Sequence, residues 1–173
     1  MKPVHKTGKA WVSRQYATDT NLMKRIRLHE YSTGRTRWTD WLYRQYRIRP
    51  GDRILELGCG NGLFWSSRIK LLPPSVSLIL SDISRGMIRK AKWNLRSTPG
   101  KPEFAVFGAD KIPFPDSSFD IVIANHMLYH VRNLPETLKE TRRVLKKGGC
   151  LYCSTIGLGH MKELTGLIRR FRL

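Results

Sequence analysis

An apolar run, Ile54-Leu55-Glu56-Leu57, leads straight into Gly58-Cys59-Gly60-Asn61-Gly62, so glycine stands at every second position of one loop. Such a loop admits a ligand close to the backbone, because a Cβ at those places would collide or forbid the required φ values. Asp82 follows Gly62 by 20 residues at the end of the next apolar run. A carboxylate so placed can accept hydrogen bonds from two ribose hydroxyls. A dinucleotide site would share this geometry, but it favours Gly-x-Gly-x-x-Gly facing a pyrophosphate. Here the loop is Gly-x-Gly-x-Gly and the acidic Glu56 precedes it, which disfavours phosphate and suits a cationic ligand.

Two other groupings carry potential chemistry. His126 and His130 lie four apart with Tyr129 between them, a spacing that would set both imidazoles on one helical face. With no acidic or cysteine ligand near them, no metal is predicted, and a general base near neutral pH is the better use of either. Cys150 and Cys153 form a Cys-x-x-Cys string. On a strand, residues three apart point to opposite faces, which argues against a redox pair or a zinc site.

The elements that must hold these residues read as an alternation. Strands are predicted at Arg53 to Leu57, Ser77 to Ser81, Glu103 to Phe107, Ile121 to Ala124 and Cys150 to Ser154. Helices are predicted between them, at Gly62 to Leu71, Arg85 to Leu95 and Pro135 to Leu145, with Pro73-Pro74 and Pro99-Gly100 as breaks. The pattern implies an α/β, Rossmann-like doubly wound fold with a mostly parallel five-stranded sheet. Ahead of it, residues 1–50 read as an arm and two cover helices, one from Thr20 to Glu30 and one from Thr36 to Tyr46. The second would line up Trp38, Trp41, Leu42 and Gln45, as packing rather than as a ligand cage. Residues 51–173 form the core, ending in a segment from Ile156 to His160 and a helix from Met161 to Phe171.

ILELGCGNG resembles the first motif of class I S-adenosylmethionine (SAM) dependent methyltransferases, in the broad group of small-molecule and ubiquinone-type enzymes. Further resemblances follow in order: Ser81-Asp82-Ile83-Ser84 with Met87, then Gly108 to Phe114, Phe119 to His126, and Arg143 to Gly149. Together they span roughly residues 50 to 155. The resemblance implies SAM as cofactor, with Gly58, Gly60 and Gly62 shaping the pocket for its methionine part and Cys59, Asn61 and Glu56 beside it. It implies Asp82 at the ribose, Ile83 and Met87 against the adenine, and Asp110 accepting from the exocyclic amine. The backbone of Lys111, with Ile112, would reach the ring, and Asn125 and His126 would face methyl donor and acceptor. His126 and His130 are the candidate catalytic groups. The family's sheet has two more strands after the fifth, so the fifth is expected as an apolar edge open to self-association or a partner segment.

Composition sets the remaining bounds. A hydrophobic share of 40% in 173 residues supports one domain-sized core. Three cysteines make no disulfide framework, and no apolar run of membrane-spanning length occurs. A cytoplasmic protein with no membrane segment is the expectation. The charge is unusual, with 32 Lys and Arg against 13 Asp and Glu, a net +19. A generic solvated surface accounts for such charge as readily as a binding site, and any nucleic-acid contact through it is expected to be salt-sensitive and sequence-indifferent. The expected activity is methyl transfer from SAM to a small-molecule acceptor. RNA methylation is an alternative, although Asn125-His126-Met127-Leu128 lacks the Asn/Asp-Pro-Pro-Tyr/Phe string of enzymes acting on exocyclic base nitrogens. A non-catalytic SAM-binding or partner-binding remnant is the other.

Overall fold

The computed structural model describes residues 36–155 together with residues 20, 22, 23, 157 and 170. Most of the expected helix from Thr20 and all but single residues of the expected segment after Thr155 lie outside them. The strands are β1 (Arg53–Leu57), β2 (Ser77–Asp82), β3 (Glu103–Val106), β4 (Phe119–Asn125) and β5 (Leu145–Ser154). They form one sheet in the order β3-β2-β1-β4-β5, and every pairing is parallel. Glu56 pairs in register with Leu80 on one side and Ile123 on the other. Among the described residues β3 and β5 are the two edges.

β1, β2 and β4 are apolar on both faces because both faces are covered, as a parallel sheet requires. Ile54, Leu78, Leu80, Ile121 and Ile123 pack with Leu42, Tyr46, Trp65, Ile69 and Leu95. On the other face Leu55, Leu57, Ile79 and Val122 pack with Ile112, Phe119, Val144 and Leu145. The covering helices are α1 (Trp38–Gln45), α2 (Arg85–Asn94) and α3 (Leu134–Val144). The Ser84 hydroxyl caps α2 by accepting from the Met87 N–H, and the Asn133 side chain caps α3 by accepting from the Glu136 N–H. None of the described helices is long and apolar enough to cross a membrane.

Three expectations of the fold need correction. The fifth strand begins at Leu145 rather than Cys150, because Leu145 already pairs with Phe119 ahead of a register shift. The predicted helix from Gly62 to Leu71 is instead two short 3-10 turns, Leu63–Trp65 and Ile69–Leu71. Side chains take the carbonyls that an α-helix would use: Ser66 Oγ donates to Leu63 O at 2.8 Å and Arg68 Nη1 donates to Phe64 O at 2.8 Å. The face of α1 is also rotated from the one expected. Leu42 is buried, Trp41 is 47% exposed, and Gln45 lies outside with its amide turned back to the Trp41 carbonyl at 3.0 Å. Tyr43 and Tyr46 take the inward positions instead, because Arg68 ties the start of α1 down through Asp40 and through Thr39 Oγ1 at 2.8 Å.

Candidate active site

Topology puts a crevice where the chain reverses its direction of winding. From β1 it proceeds outward to β2 and β3, then returns to lay β4 on the other side of β1. Ligands of open parallel sheets bind outside the carboxyl ends of strands at such a point. The loop after β1 sits there with Gly58, Gly60 and Gly62 at φ values of 68°, 58° and 71°. All three lie in the left-handed region. A Cβ on Gly58 would stand 2.8 Å from the Met127 Cβ, and one on Gly62 would stand 3.0 Å from the Ala91 Cβ of α2. Glycine is therefore required for the chain after β4, and α2, to close on the loop.

Asp82, at the end of β2, reaches across to this loop. Its Oδ2 accepts from the Gly60 N–H at 3.0 Å and its Oδ1 from the Ser84 N–H at 2.8 Å. Two lone pairs remain for a ligand, since each carboxylate oxygen accepts twice. Burial raises the Asp82 carboxyl above its ordinary value, with the two N–H donors opposing. Glu56 is buried more deeply, at 3% exposure. Trp65 Nε1 donates to its Oε2 at 2.6 Å, and Asn125 Nδ2 approaches its Oε1 at 3.4 Å while donating to the Tyr46 hydroxyl at 2.7 Å. Burial pushes the Glu56 carboxyl up to about 7; the Trp65 and Asn125 donors pull against this, and the Asp82 charge adds to it. No cation of the described residues pairs with either acid. In a chain of net charge +19 the crevice is therefore locally acidic.

The other expected residues distribute around this centre. Cys59 is held by its N–H to the Ser81 carbonyl at 2.9 Å, and burial, then Glu56 and Asp82, push its thiol well up. Its sulfur stays neutral and is no nucleophile. Asn61 is buried; its Oδ1 accepts from the Leu63 N–H at 3.3 Å, and its Nδ2 lies 3.5 Å from the Met23 sulfur. Ile83 is half-buried beside Asp82, and Met87 is buried on α2. Asp110 is half-buried, the Lys111 N–H closes a turn onto the Gly108 carbonyl at 3.1 Å, and Ile112 is buried.

The two histidines do not share a helical face. His126 sits at φ 50° just after β4, outside the single 3-10 turn Leu128–His130 that carries His130. Its N–H donates to Ser154 O at 3.0 Å, which bends the chain off the sheet before any helix can start. Its ring tilts against Trp38 at 5.6 Å, whereas His130 tilts against Tyr129 at 4.4 Å. Trp38 stacks on Trp41 at 5.1 Å. α1 thus brings an aromatic wall to the exit of β4.

Sequence reasoning missed two sets of supporting residues. Trp65 binds Glu56 directly and Tyr46 holds Asn125, an expected site residue, against it, and no spacing signals either. Arg143 of α3 donates to Glu140 Oε1 at 2.7 Å, to Ile112 O at 2.8 Å and to Phe114 O at 2.8 Å, while Glu140 Oε2 accepts from the Ile112 N–H at 2.8 Å. The helical i, i+3 spacing of Glu140 and Arg143 was legible, but not its reach to the loop. The Arg143 guanidinium, outweighing burial, holds Glu140 down to about 2. The pair pins the loop that carries Asp110, Lys111 and Ile112. Arg143→Met should therefore cost about 2–3 kcal/mol, as hydrogen bonds to charged groups do. Thermal melting of the variant against the parent checks this, and an unchanged midpoint would refute the anchor.

A glycine loop, an acid at the end of β2 and a crevice at the switch point of a parallel sheet define a Rossmann-like doubly wound fold. Residues 55–153 match the family model described as a methyltransferase domain, and the chain belongs to that family. It is 34% identical over 121 residues to the demethylmenaquinone methyltransferase of Symbiobacterium thermophilum, covering 67% of this chain and 48% of that protein. It is also 34% identical over 122 residues to the malonyl-[acyl-carrier protein] O-methyltransferase of Legionella pneumophila, covering 69% of this chain and 42% of that protein. The chain thus spans about half the length, or less, of these relatives. Among solved structures, the [4+2]-cyclase SpnF superposes with a TM-score of 0.71 at 22% identity, covering 85% of this chain and 60% of that one. That likeness shows the fold alone, since the same architecture carries unrelated chemistries.

Proposed function

We propose that the crevice binds SAM and that the protein transfers its methyl group to a small-molecule acceptor. The observation that carries this reading is the pair of carboxylates, buried Glu56 and half-buried Asp82, beside a glycine loop and without a cationic partner among the described residues. Such a site repels a pyrophosphate and favours a ligand with positive charge and ribose hydroxyls. Bound SAM supplies a methyl group on a sulfonium, which needs little beyond alignment with the acceptor.

In this reading Asp82 takes the ribose hydroxyls, and Glu56 faces the cationic methionine part across Gly58, Gly60 and Gly62, with Cys59 and Asn61 shaping the loop. Ile83 and Met87 flank the adenine. Asp110 takes its amine, with Lys111 and Ile112 forming the rest of that wall. Asn125 and His126 meet the transferring group, and His126 or His130 receives a proton where the acceptor must lose one. The aromatic wall of Trp38 and Trp41 excludes water from the acceptor side. The division into residues 1–50 as cover and 51–173 as core belongs to the same proposal. It is supported by Trp38 on His126 and Met23 on Asn61.

The test is calorimetry with SAM and with its demethylated product, followed by labelled methyl transfer to quinol, carboxylate and RNA acceptors. Binding with transfer to a small acceptor is expected. No SAM binding overturns the proposal. Transfer to RNA alone would replace the acceptor assignment, and binding without transfer would leave a SAM-binding protein.

A further inference from the structure

The outer face of α2 carries a stripe of cations around an exposed tryptophan. Its inner face holds Met87, Ile88 and Ala91 in the core. Arg85, Arg89, Lys92, Trp93 and Arg96 fall on the opposite side at successive helical turns, and all are exposed. From residue 83 to residue 102 the chain has no Asp or Glu. No carboxylate among the described residues pairs with Arg85, Arg89, Lys92 or Arg96. Like charges at this spacing destabilise a helix, and Arg85 in the first turn also opposes the helix dipole. The charge of Arg85 and Arg89 is a cost to the helix that no carboxylate among the described residues offsets.

Trp93 stands in this stripe at 61% exposure. The Arg96 guanidinium lies 3.9 Å from the centre of its ring and donates to the Trp93 carbonyl at 2.7 Å. One end of the arginine is thus tied to the helix terminus and its plane covers part of the indole. The aromatic surface is held in place rather than left to rotate. Lys92 reaches the neighbouring β3 edge, with its Nζ 5.8 Å from the centre of the Phe104 ring.

We infer that the outer face of α2 docks single-stranded nucleic acid, with phosphates on Arg85, Arg89 and Lys92 and one base stacked on the indole of Trp93. The stripe from Arg85 to Arg96 is about 16 Å long at the rise of an α-helix, enough for a short run of nucleotides. Exposed aromatics among cations form the platform that sequence-tolerant single-strand binders use, because every base has a π-face and every nucleotide a phosphate. A duplex keeps its bases stacked within itself and leaves Trp93 nothing to receive. The proposal stands apart from the SAM crevice and makes no claim about the methyl acceptor.

The experiment is fluorescence anisotropy of the whole chain with labelled mixed-sequence 12-mers of RNA and DNA, single-stranded and duplex, across a salt series. Heparin serves as a polyanion without bases, and a poly-glutamate peptide stands for an acidic protein. Trp93→Ala should weaken single-strand binding roughly fivefold or more and leave heparin binding unchanged, with Trp93→Phe restoring most of the loss. Arg85→Gln with Arg89→Gln should lower the slope of log affinity against log salt by roughly 1.4, about 0.7 for each phosphate released. Melting curves confirm that the variants, all at exposed positions, stay folded. Unchanged single-strand binding in the Trp93 and arginine variants overturns the inference. So does an equal loss on heparin, or tighter binding to poly-glutamate or to duplex than to the single strand.

Discussion

Replacing Glu56 by glutamine is expected to make the fold markedly more stable at pH 8 and only slightly more stable at pH 5. The Glu56 carboxyl is held at about 7 in the folded chain against an ordinary 4.5. Between those values the folded state holds a proton that the unfolded state has lost, so this group's contribution to stability falls as pH rises through the window. Above it the penalty is constant at about 3 kcal/mol. Glutamine removes the charge. Its carbonyl can still accept from Trp65 Nε1, and rotation of the Asn125 amide can meet its NH2. Melting curves of parent and Glu56→Gln at pH 5 and pH 8 measure the effect, and parallel pH slopes for the two would sink it.

The same group couples ligand binding to protons. A cationic ligand beside Glu56 favours the carboxylate, so SAM binding at pH 6 should release roughly one proton, and affinity should rise with pH up to about 7. Calorimetry in two buffers of different ionisation enthalpy counts the proton. Glu56→Gln should release none and bind more weakly. Proton release unchanged in the variant would assign it to another group.

Asp82→Ala is expected to lower SAM affinity by about 1.5–3 kcal/mol, roughly ten- to a hundredfold, because the ribose hydroxyls lose a charged acceptor. Asp82 also accepts from the Gly60 and Ser84 N–H groups at 3.0 and 2.8 Å, so alanine frees the loop as well as the ligand. Asp82→Asn separates the two effects. It keeps one acceptor for the loop but removes the charge, and its affinity should fall between parent and alanine. Affinity at the parent's level in Asp82→Ala would end the ribose assignment.

Much of the architecture was legible before any coordinates. The run Ile121 to Ala124 is apolar without alternation, Ile54 to Leu57 departs from that only at Glu56, and short runs of this kind between turn signals suit strands covered on both faces. The glycine loop and Asp82 were equally visible, since left-handed backbone and close approach demand glycine, and the spacing to the next strand end follows from one βαβ unit. The fold class was therefore carried by local pattern and short spacing. What lay beyond reach depended on partners far apart in the chain. The segment from Gly62 to Leu71 has a helical pattern, yet Ser66 and Arg68 capture its carbonyls and Arg68 answers to Asp40 and Thr39 in α1. Glu56 read as an acid beside a loop. Only the sheet register, which sets it between Leu80 and Ile123, aims it at Trp65 and Asn125 and buries it. The clamp of Arg143 on Ile112 and Phe114 arises in the same way, from a helix laid against a loop some 30 residues earlier. Local sequence settled which backbone conformations were affordable. Tertiary packing decided which side chains lost their water, and so which groups carry shifted protonation and hold the site in shape.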